Sequence, residues 1–474
     1  MEVLRRGHLY EDVADSICHM VRCGTYRAGD RIPSIRALSS QMGVSITTAM
    51  EAYRLLEDRG IVEARPQSGY YVRSLLANTI SMPPVSKADM SPVTCCVEKI
   101  VGKVFKDCLG PVEVQLGTNI PNIDLLPVDR LNRCLASAAR SLGAQSVSYC
   151  FPGDERLRTQ IAKRAATAGC TLSPEDVLIT SGCQEAVYVA LKSVCRPGDT
   201  VVIESPMFFN HLQIMQGLGL KVVEVPSSPE TGISLDALRY VLEDTEVKAC
   251  LLIPNFSNPL GCCIPDSHKA ELAQLLARHG VPLIEDDVYG DLSFTNQRPR
   301  VVKAYDDTGM VILCSSFSKT LAPGYRVGWI APGRFKADIE HQKILSNIAT
   351  ATPPQLAVAE FLAGGGYDHL MRKVRRAYAR HVSLMTDAVV RHFPKGTNVS
   401  RPAGGFFLWV ELPGSIDSLL LYEQARARGI SVAPGPIFTV RDKYRNYIRL
   451  SAANWDKGVE DAVRTLGSLA GMQG

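Results

Sequence analysis

Hydrophobic positions near the N-terminus fall into helical blocks. Leu9, Val13, Ile17, Met20 and Val21 recur at helical spacing and predict one amphipathic helix, which Gly24 stops. Ser34 is placed to cap a short helix running to about Met42, Gly43 supplies a tight turn, and Ser45 can cap a third helix that runs to Arg59, with Gly60 as its stop. Residues 61–65 and 70–73 read as two short strands around the turn Pro66-Gln67-Ser68-Gly69. Helix, helix–turn–helix and hairpin is the order of a winged helix-turn-helix. Residues 76–92 break the pattern with three prolines and small polar residues, the composition of a linker. Fully extended, its ~17 residues could span about 55 Å. Val97, Ile100, Val101, Val104, Phe105 and Cys108 then share one helical face. From about Glu113, apolar runs at 177–180, 201–204, 221–225, 249–253, 282–285, 311–314 and 327–330 alternate with amphipathic helices. That rhythm predicts an α/β fold with a mostly parallel sheet. The expected organisation is a DNA-binding-like unit over 1–75, a linker over 76–92 and an α/β unit over 93–474.

Composition changes this picture little. The 474 residues are 46% hydrophobic and 21% charged, ordinary for globular chains. No apolar run reaches the ~18 residues of a membrane helix. The start, MEVLRRGHLYEDVADS, has no apolar stretch of secretory type. The expectation is a cytoplasmic protein without a membrane partner. Net charge is +4, too small to argue for nucleic acid by itself. Residues 1–75 hold ten arginines, no lysine and nine acids, a balance of +1, so DNA binding there must come from architecture. The 14 cysteines include no C-x-x-C pair; Cys95–Cys96 and Cys262–Cys263 are neighbours, and Cys195, Cys250 and Cys314 lie in apolar runs. Reduced, buried thiols fit better than a disulfide framework or a zinc site, and no metal is expected.

The strongest chemical signal is SSFSKTLAPGYRVGW, Ser315 to Trp329. It follows an apolar strand, sets a lysine among serines and places Arg326 seven residues on. A lysine amine can form an imine with an aldehyde, and hydroxyls with a guanidinium suit a phosphate on the same molecule. A lone lysine after a strand is most often solvated; the whole run, however, resembles the pyridoxal-phosphate lysine region of class I aminotransferases of fold type I, especially the branch found in MocR regulators. The resemblance implies pyridoxal 5′-phosphate as cofactor, Lys319 as the Schiff-base residue, and Ser316, Ser318 and Arg326 as phosphate ligands. In LITSGCQEAV, a strand ends in glycine and opens a helix, whose first N–H groups suit a phosphate; Gly182, Cys183 and Gln184 fall on the family's phosphate cup. Cys183 stands where Ser or Ala is usual, which removes a hydroxyl and keeps the backbone donor. Phe208 in IESPMFFN matches the aromatic that stacks on the pyridine ring; a core Phe is the bland alternative. Asn258 in IPNFSNPLG matches the amide donor to the ring hydroxyl, against an ordinary Asn-Pro turn.

LIEDDVYGDL ends an apolar strand in carboxylates. The resemblance implies that Asp286 pairs with the pyridine nitrogen and Tyr289 donates to the ring hydroxyl, with Asp287 the neighbour most easily confused with Asp286. A carboxylate there keeps the ring an electron sink. Arg449 in YIRLSAAN falls where the family holds the substrate α-carboxylate, a bidentate task that suits Arg over Lys. Tyr149 in SYCFPGDERLR resembles the tyrosine that reaches a neighbouring subunit's phosphate, and Asn119 and Pro121 fall in the N-terminal substrate segment.

The run from Gly24 to Val72 resembles the GntR family of DNA-binding domains, most specifically in AGDRIPSIRALS and ARPQSGYYV. Arg36, Ser45, Thr47 and Thr48 match positions used on DNA, and Gly69 matches the wing tip. Ile46 and Met50 depart from the pattern, which puts the usual base-reading arginine in doubt. The union of the two parts resembles the MocR family. It implies a homodimeric regulator that binds double-stranded DNA and answers to an amino acid or amine at Lys319, with weak transaminase activity at most. A working class I aminotransferase with an appended DNA-binding-like module is the alternative.

Overall fold

The computed structural model describes residues 9–23, 25–26, 30–65, 69–72, 80–86, 89–96, 100–110, 112–295 and 297–473. Helices α1 (Leu9–Arg22), α2 (Ile35–Met42) and α3 (Ile46–Asp58) precede a hairpin of β1 (Val62–Arg65) and β2 (Gly69–Val72). Local chemistry sets these ends. Ser34 Oγ accepts from Ala37 N at 3.2 Å, and Gly43 takes a left-handed φ of 64° that only glycine adopts freely. Ser45 Oγ accepts from Thr48 N at 3.0 Å. Val13, Ile17, Leu38, Ala49, Tyr53 and Leu56 form the buried centre. Tyr53 stacks on Tyr70 of the wing, ring centroids 4.6 Å apart, and donates its hydroxyl to Pro33 O at 2.5 Å, which ties hairpin to helices. The expected stop at Gly24, the 66–68 part of the wing turn, Arg73, residues 76–79 and 87–88 of the linker, and Val97 lie outside the described residues.

Among the described residues the large unit is built on a nine-stranded sheet, eight strands of which follow one path: β3 (Val93–Thr94), β4 (Leu178–Thr180), β5 (Thr200–Ser205), β6 (Lys221–Ser228), β7 (Ala249–Leu252), β8 (Leu283–Asp286), β9 (Val311–Ser316) and β10 (Gly328–Ala331), while the short strand Gly232–Ile233 pairs with β6 beside it. Their order is β3-β6-β5-β7-β8-β9-β10-β4, and the seven apolar runs all enter this sheet. Strands β6, β5, β7, β8 and β9 are parallel, in registers such as Val201 with Val222 and Asp286 with Cys314. Strand β10 is antiparallel to both β9 and β4. The connection 317–327 is too short for a helical crossover of a dozen or more residues, so the chain must return the other way. The central strands are buried throughout because helices cover both faces, which is why they read as continuous apolar runs. Helices α4 (Cys183–Val194) and α5 (Phe209–Gly217) follow β4 and β5. The carboxyl ends of the parallel strands thus open on one crevice, the usual ligand edge of such sheets.

A smaller sheet, β11 (Asn398–Val399), β12 (Phe407–Glu411), β13 (Ala433–Pro434) and β14 (Tyr447–Ser451), is ordered β11-β12-β14-β13. The described residues of the segment read as linker, 80–86 and 89–92, make contacts with this part. Val399 N donates to Ser81 O at 3.0 Å, Arg401 Nη2 to Ile80 O at 2.7 Å, and Arg441 pairs with Asp89. Helix α6 (Gly366–His392) runs beside both units. Its Arg376 pairs with Asp58, at the end of α3, at 3.3 Å. The other end of α3 stays open, with Ile46 56% exposed and Thr47 beside it exposed as well. No helix among the described residues is long and apolar enough to cross a membrane, and no described cysteine is in a disulfide.

Candidate functional site

At the crevice, β9 ends in Ser316 and its loop carries Ser318 and Lys319, while β4 turns through Gly182 into the first residue of α4, Cys183. A cavity of about 280 Å³ opens between them, lined among others by Asn119, Gln184, Phe208, Asp286, Tyr289 and Lys319. Beside its lining residues, two glycines leave no room for a side chain. A Cβ on Gly182 (φ +84°) would meet Arg326 Nη2 at 2.3 Å, and one on Gly328 would meet the Gly182 carbonyl carbon at 2.4 Å. Cys183 and Gln184 of the first turn of α4, Ser316, Ser318 and Arg326 all line the cavity, a donor set suited to a phosphate. Arg326 Nη1 donates to Ser318 Oγ at 3.3 Å and Nη2 to Ser181 O at 3.1 Å. Arg326 holds φ at +52°, strain that a non-glycine residue keeps only when its surroundings fix it.

Lys319 Nζ reaches into the same cavity and donates to Asn119 O at 2.7 Å. Burial, then the positive charges of Arg449 and Arg326, push its pKa down to about 8, against the opposing pull of Asp286. The amine is therefore primed to lose its proton and act as a nucleophile. Asp286, the last residue of β8, turns one oxygen to His211 Nε2 at 3.2 Å. Its other oxygen accepts from Cys183 Sγ at 3.3 Å and from Val288 N at 3.2 Å. Burial and this carboxylate raise the Cys183 thiol well above its ordinary pKa, so it stays a donor. Asp287 faces the other way, to Arg298 and to Asn255 Nδ2 at 2.8 Å. The two candidate acids are separated by the alternation of a strand end.

Tyr289 Oη accepts from Asn258 Nδ2 at 3.3 Å, and Arg449 Nη1 donates to Asn258 Oδ1 at 2.8 Å. Burial, with Asp286 adding to it, raises the Tyr289 hydroxyl far above its usual pKa. Arg449 is fully buried, between the Phe407 ring (4.6 Å) and the Phe438 ring (5.3 Å), with Nη2 donating to Gly117 O at 2.5 Å. A desolvated guanidinium costs several kcal/mol, which these hydrogen bonds and ring contacts offset in part. The structure thus gathers Gly182, Cys183, Gln184, Phe208, Asn258, Asp286, Tyr289, Ser316, Ser318, Lys319, Arg326 and Arg449 around one cavity. Tyr149 is not there; it is 82% exposed on the surface. Sequence reasoning missed His211, which sits in the first turn of α5 with its ring edge-on to Phe208 at 5.4 Å. Nothing local marks a histidine whose partner is 75 residues away (211 to 286).

In the winged unit, Arg36 and Thr47 are exposed. Ser45 and Thr48 are partly committed to the helix end: their hydroxyl oxygens lie 2.8 Å apart, and Ser45 caps the backbone. Gly69 opens β2 at φ +108°, where a Cβ would stand 3.2 Å from Arg31 Nε. Arg31 was not singled out by the sequence; its only sequence signal is the glycine that makes room for it.

Residues 113–466 match the family model described as aminotransferase class I and II, and residues 9–72 match bacterial regulatory proteins, gntR family. The chain is 37% identical over 445 residues to the uncharacterized HTH-type transcriptional regulator YjiR of Escherichia coli (strain K12), covering 94% of each. It is 37% identical over 466 residues to YdcR, an uncharacterized HTH-type transcriptional regulator of the same strain, covering 97% of this chain and 98% of the relative. Among solved structures it is similar to the alpha-aminoadipate aminotransferase of Thermus thermophilus, complexed with N-(5′-phosphopyridoxyl)-L-leucine. That likeness has 29% identity and a TM-score of 0.73 over 78% of this chain and 95% of the other.

Proposed function

The chain belongs to the aminotransferase class I and II family and carries a gntR-family domain ahead of it, the MocR-type architecture of a transcriptional regulator, and from that premise we propose that an amino acid or amine competing for pyridoxal 5′-phosphate at Lys319 alters its hold on DNA. When bound, this cofactor supplies an aldehyde that joins primary amines reversibly and a ring that withdraws electrons. The donor set and the two side-chain-free glycines fit it. Cys183 N, Gln184 N, Ser316, Ser318 and Arg326 would hold the phosphate, Phe208 would cover the ring face, and Lys319 would hold the aldehyde carbon. Asp286, oriented by His211 and Cys183, would keep a proton on the pyridine nitrogen. Tyr289 and Asn258 would meet the ring hydroxyl. Arg449 would take the carboxylate of an amino acid.

One observation carries the coupling to DNA. Lys319 Nζ is tied to Asn119 O, Asn122 N donates to Tyr378 Oη of α6 at 3.1 Å, and Arg376, two residues before Tyr378, pairs with Asp58 of α3. An amine that displaces Lys319 from the cofactor would free Nζ to make the first tie, and α6 would carry the change to the helix that reads DNA. Such coupling requires different ligand affinities in the two seatings, typically by ~1–3 kcal/mol. Exposed Tyr149, with Val147 at 84%, Leu345 at 63% and Ile348 at 54% exposure, supports a homodimer in which Tyr149 serves the partner's site. The enzyme reading has its own support, because Lys319, Asp286, Tyr289 and Arg449 all remain in place. Transaminase turnover equal to that of ordinary family enzymes, about 1–10³ per second, would favour it.

Two experiments address these parts. Uptake of pyridoxal 5′-phosphate by the apoprotein is expected to accelerate with pH around a midpoint near 8, because only the neutral Lys319 amine has a lone pair to offer. Stopped-flow absorbance measures it, and a rate that is flat from pH 7 to 9 contradicts it. For DNA, Arg36→Ala is expected to weaken binding and to lower the slope of log affinity against log salt by about 1, the loss of one phosphate contact. Binding that is insensitive to salt would mean that the winged unit serves protein contact instead.

A further inference from the structure

A second cavity, about 740 Å³, lies in the seam between α1 and α6, away from the residues gathered at Lys319. Its lining includes Arg164, Arg298, Arg300, Arg372 and Arg375 against Asp266, Asp291 and Asp368, five positive charges and three negative, a surplus of two. The acids are already occupied. Asp291 pairs with Arg298 at 2.7 Å and Arg164 at 3.6 Å and accepts from Tyr367 Oη at 2.7 Å. Asp368 pairs with Arg164 at 3.1 Å, and Asp266 pairs with Lys269 at 3.5 Å. Among the described residues, Arg300, Arg372 and Arg375 therefore have no carboxylate partner. Arg375 is half-buried, its Nε donating to the backbone oxygen of Asp291 at 2.6 Å. Burial lowers its pKa, against Asp291 and Tyr367 and with smaller help from Arg298 and Arg164. Arg300 lies across Gly169, where a Cβ would meet its Cγ at 3.0 Å, so the glycine (φ +76°) lets the stem cross the cavity wall.

We propose that this seam is a binding site for a small molecule with at least two negative charges on phosphate or carboxylate oxygens, held by Arg300, Arg372 and Arg375. Arg300, which lies over the Tyr305 ring, and Arg372 are exposed, and Arg375 spends one donor on a backbone oxygen, so with the surplus of two charges their remaining donors are open to an anion, and their planar forks suit phosphate and carboxylate oxygens. The occupant touches both sides of the seam: Tyr10 belongs to α1, while Met371, Arg372 and Arg375 belong to α6, the helix that also pairs with Asp58 of α3. None of Arg36, Thr47 and Gly69 lines the cavity, so a duplex on that face does not fill it. Occupancy thus sets how the winged unit seats on the large one, without any event at Lys319.

The test uses the full chain with its cofactor fixed by borohydride, so that the phosphate cup is filled. Calorimetric titration at constant ionic strength with inorganic phosphate, pyrophosphate and succinate is expected to give one saturable site per chain for at least one of them. Tighter pyrophosphate would assign a phosphate ester, tighter succinate a dicarboxylate. Arg372→Gln, at an exposed position that leaves the fold intact, is expected to weaken binding at least tenfold, with Arg372→Lys in between. Saturating the probe is expected to change DNA affinity at least fivefold in the parent and not in Arg372→Gln. The proposal is overturned if no probe binds saturably, or if Arg372→Gln and Arg300→Gln bind as the parent does. Weaker DNA binding by Arg372→Gln without any anion binding would also overturn it, by making these arginines DNA contacts. The absorbance of the fixed cofactor stays constant throughout, so failure here leaves the reading of Lys319 untouched.

Discussion

Lys319→Ala is expected to leave a protein from which pyridoxal 5′-phosphate is removed by gel filtration and onto which borohydride fixes none. The phosphate donors at Gly182–Cys183, Ser316, Ser318 and Arg326 survive the change, so weak binding persists, but the one lysine among the described residues that line the cavity is gone. A loss of at least about a hundredfold in retention, ~2.7 kcal/mol, is expected. The same change removes the tie to Asn119 O, so DNA affinity should no longer respond to amino acids. Absorbance and mass after borohydride treatment measure the first part. A variant that retains the cofactor covalently would place the reacting amine elsewhere.

Arg449→Ala has the second largest expected effect, and it separates ligand classes. The wild-type guanidinium is fully buried and bonded to Asn258 Oδ1 and Gly117 O. Removing it leaves those two oxygens unsatisfied and empties a space between Phe407 and Phe438. A stability loss of about 3 kcal/mol is expected, seen as a lower Tm. Response to an amino acid should weaken by about 100-fold or more, since a charge-assisted bidentate pair is lost, whereas response to the corresponding amine without its carboxylate should be nearly unchanged. Arg449→Lys keeps the charge and loses the fork, so it should restore stability better than ligand response. Equal losses for the amino acid and the amine would mean that Arg449 has only a packing role. The readout is the spectral titration of each variant.

Much of this was legible along the chain because the relevant chemistry is local. Strands buried on both faces announce themselves as apolar runs, caps as Ser34 and Ser45, and the lysine loop as one continuous motif. Strand direction was less legible: residues 327–330 look like any parallel strand, and only the shortness of 317–327 explains why β10 runs backward. Asp286 and Asp287 are adjacent in sequence and opposite in space, and the alternation of β8 decides between them. What could not be read came from distant pairings. His211 needs Asp286, Tyr378 needs Asn122, and the seam arginines come from positions 164 to 375. None of these leaves a local pattern. Ser45 illustrates the converse, a residue matched to DNA contact whose hydroxyl first serves the end of its own helix.

The coupling between Lys319 and α3 is tested most directly by titrating amino acids into the cofactor-loaded protein while recording its absorbance and its affinity for a duplex selected for binding in vitro. The expected result is a change in DNA affinity of at least fivefold, with the same ligand midpoint as the spectral change, in the parent protein, and a spectral change alone in Tyr378→Phe, which lacks the hydroxyl that Asn122 N meets. A complete spectral change in the parent with DNA affinity unmoved would contradict the proposed regulation and leave a cofactor site with no voice in DNA binding.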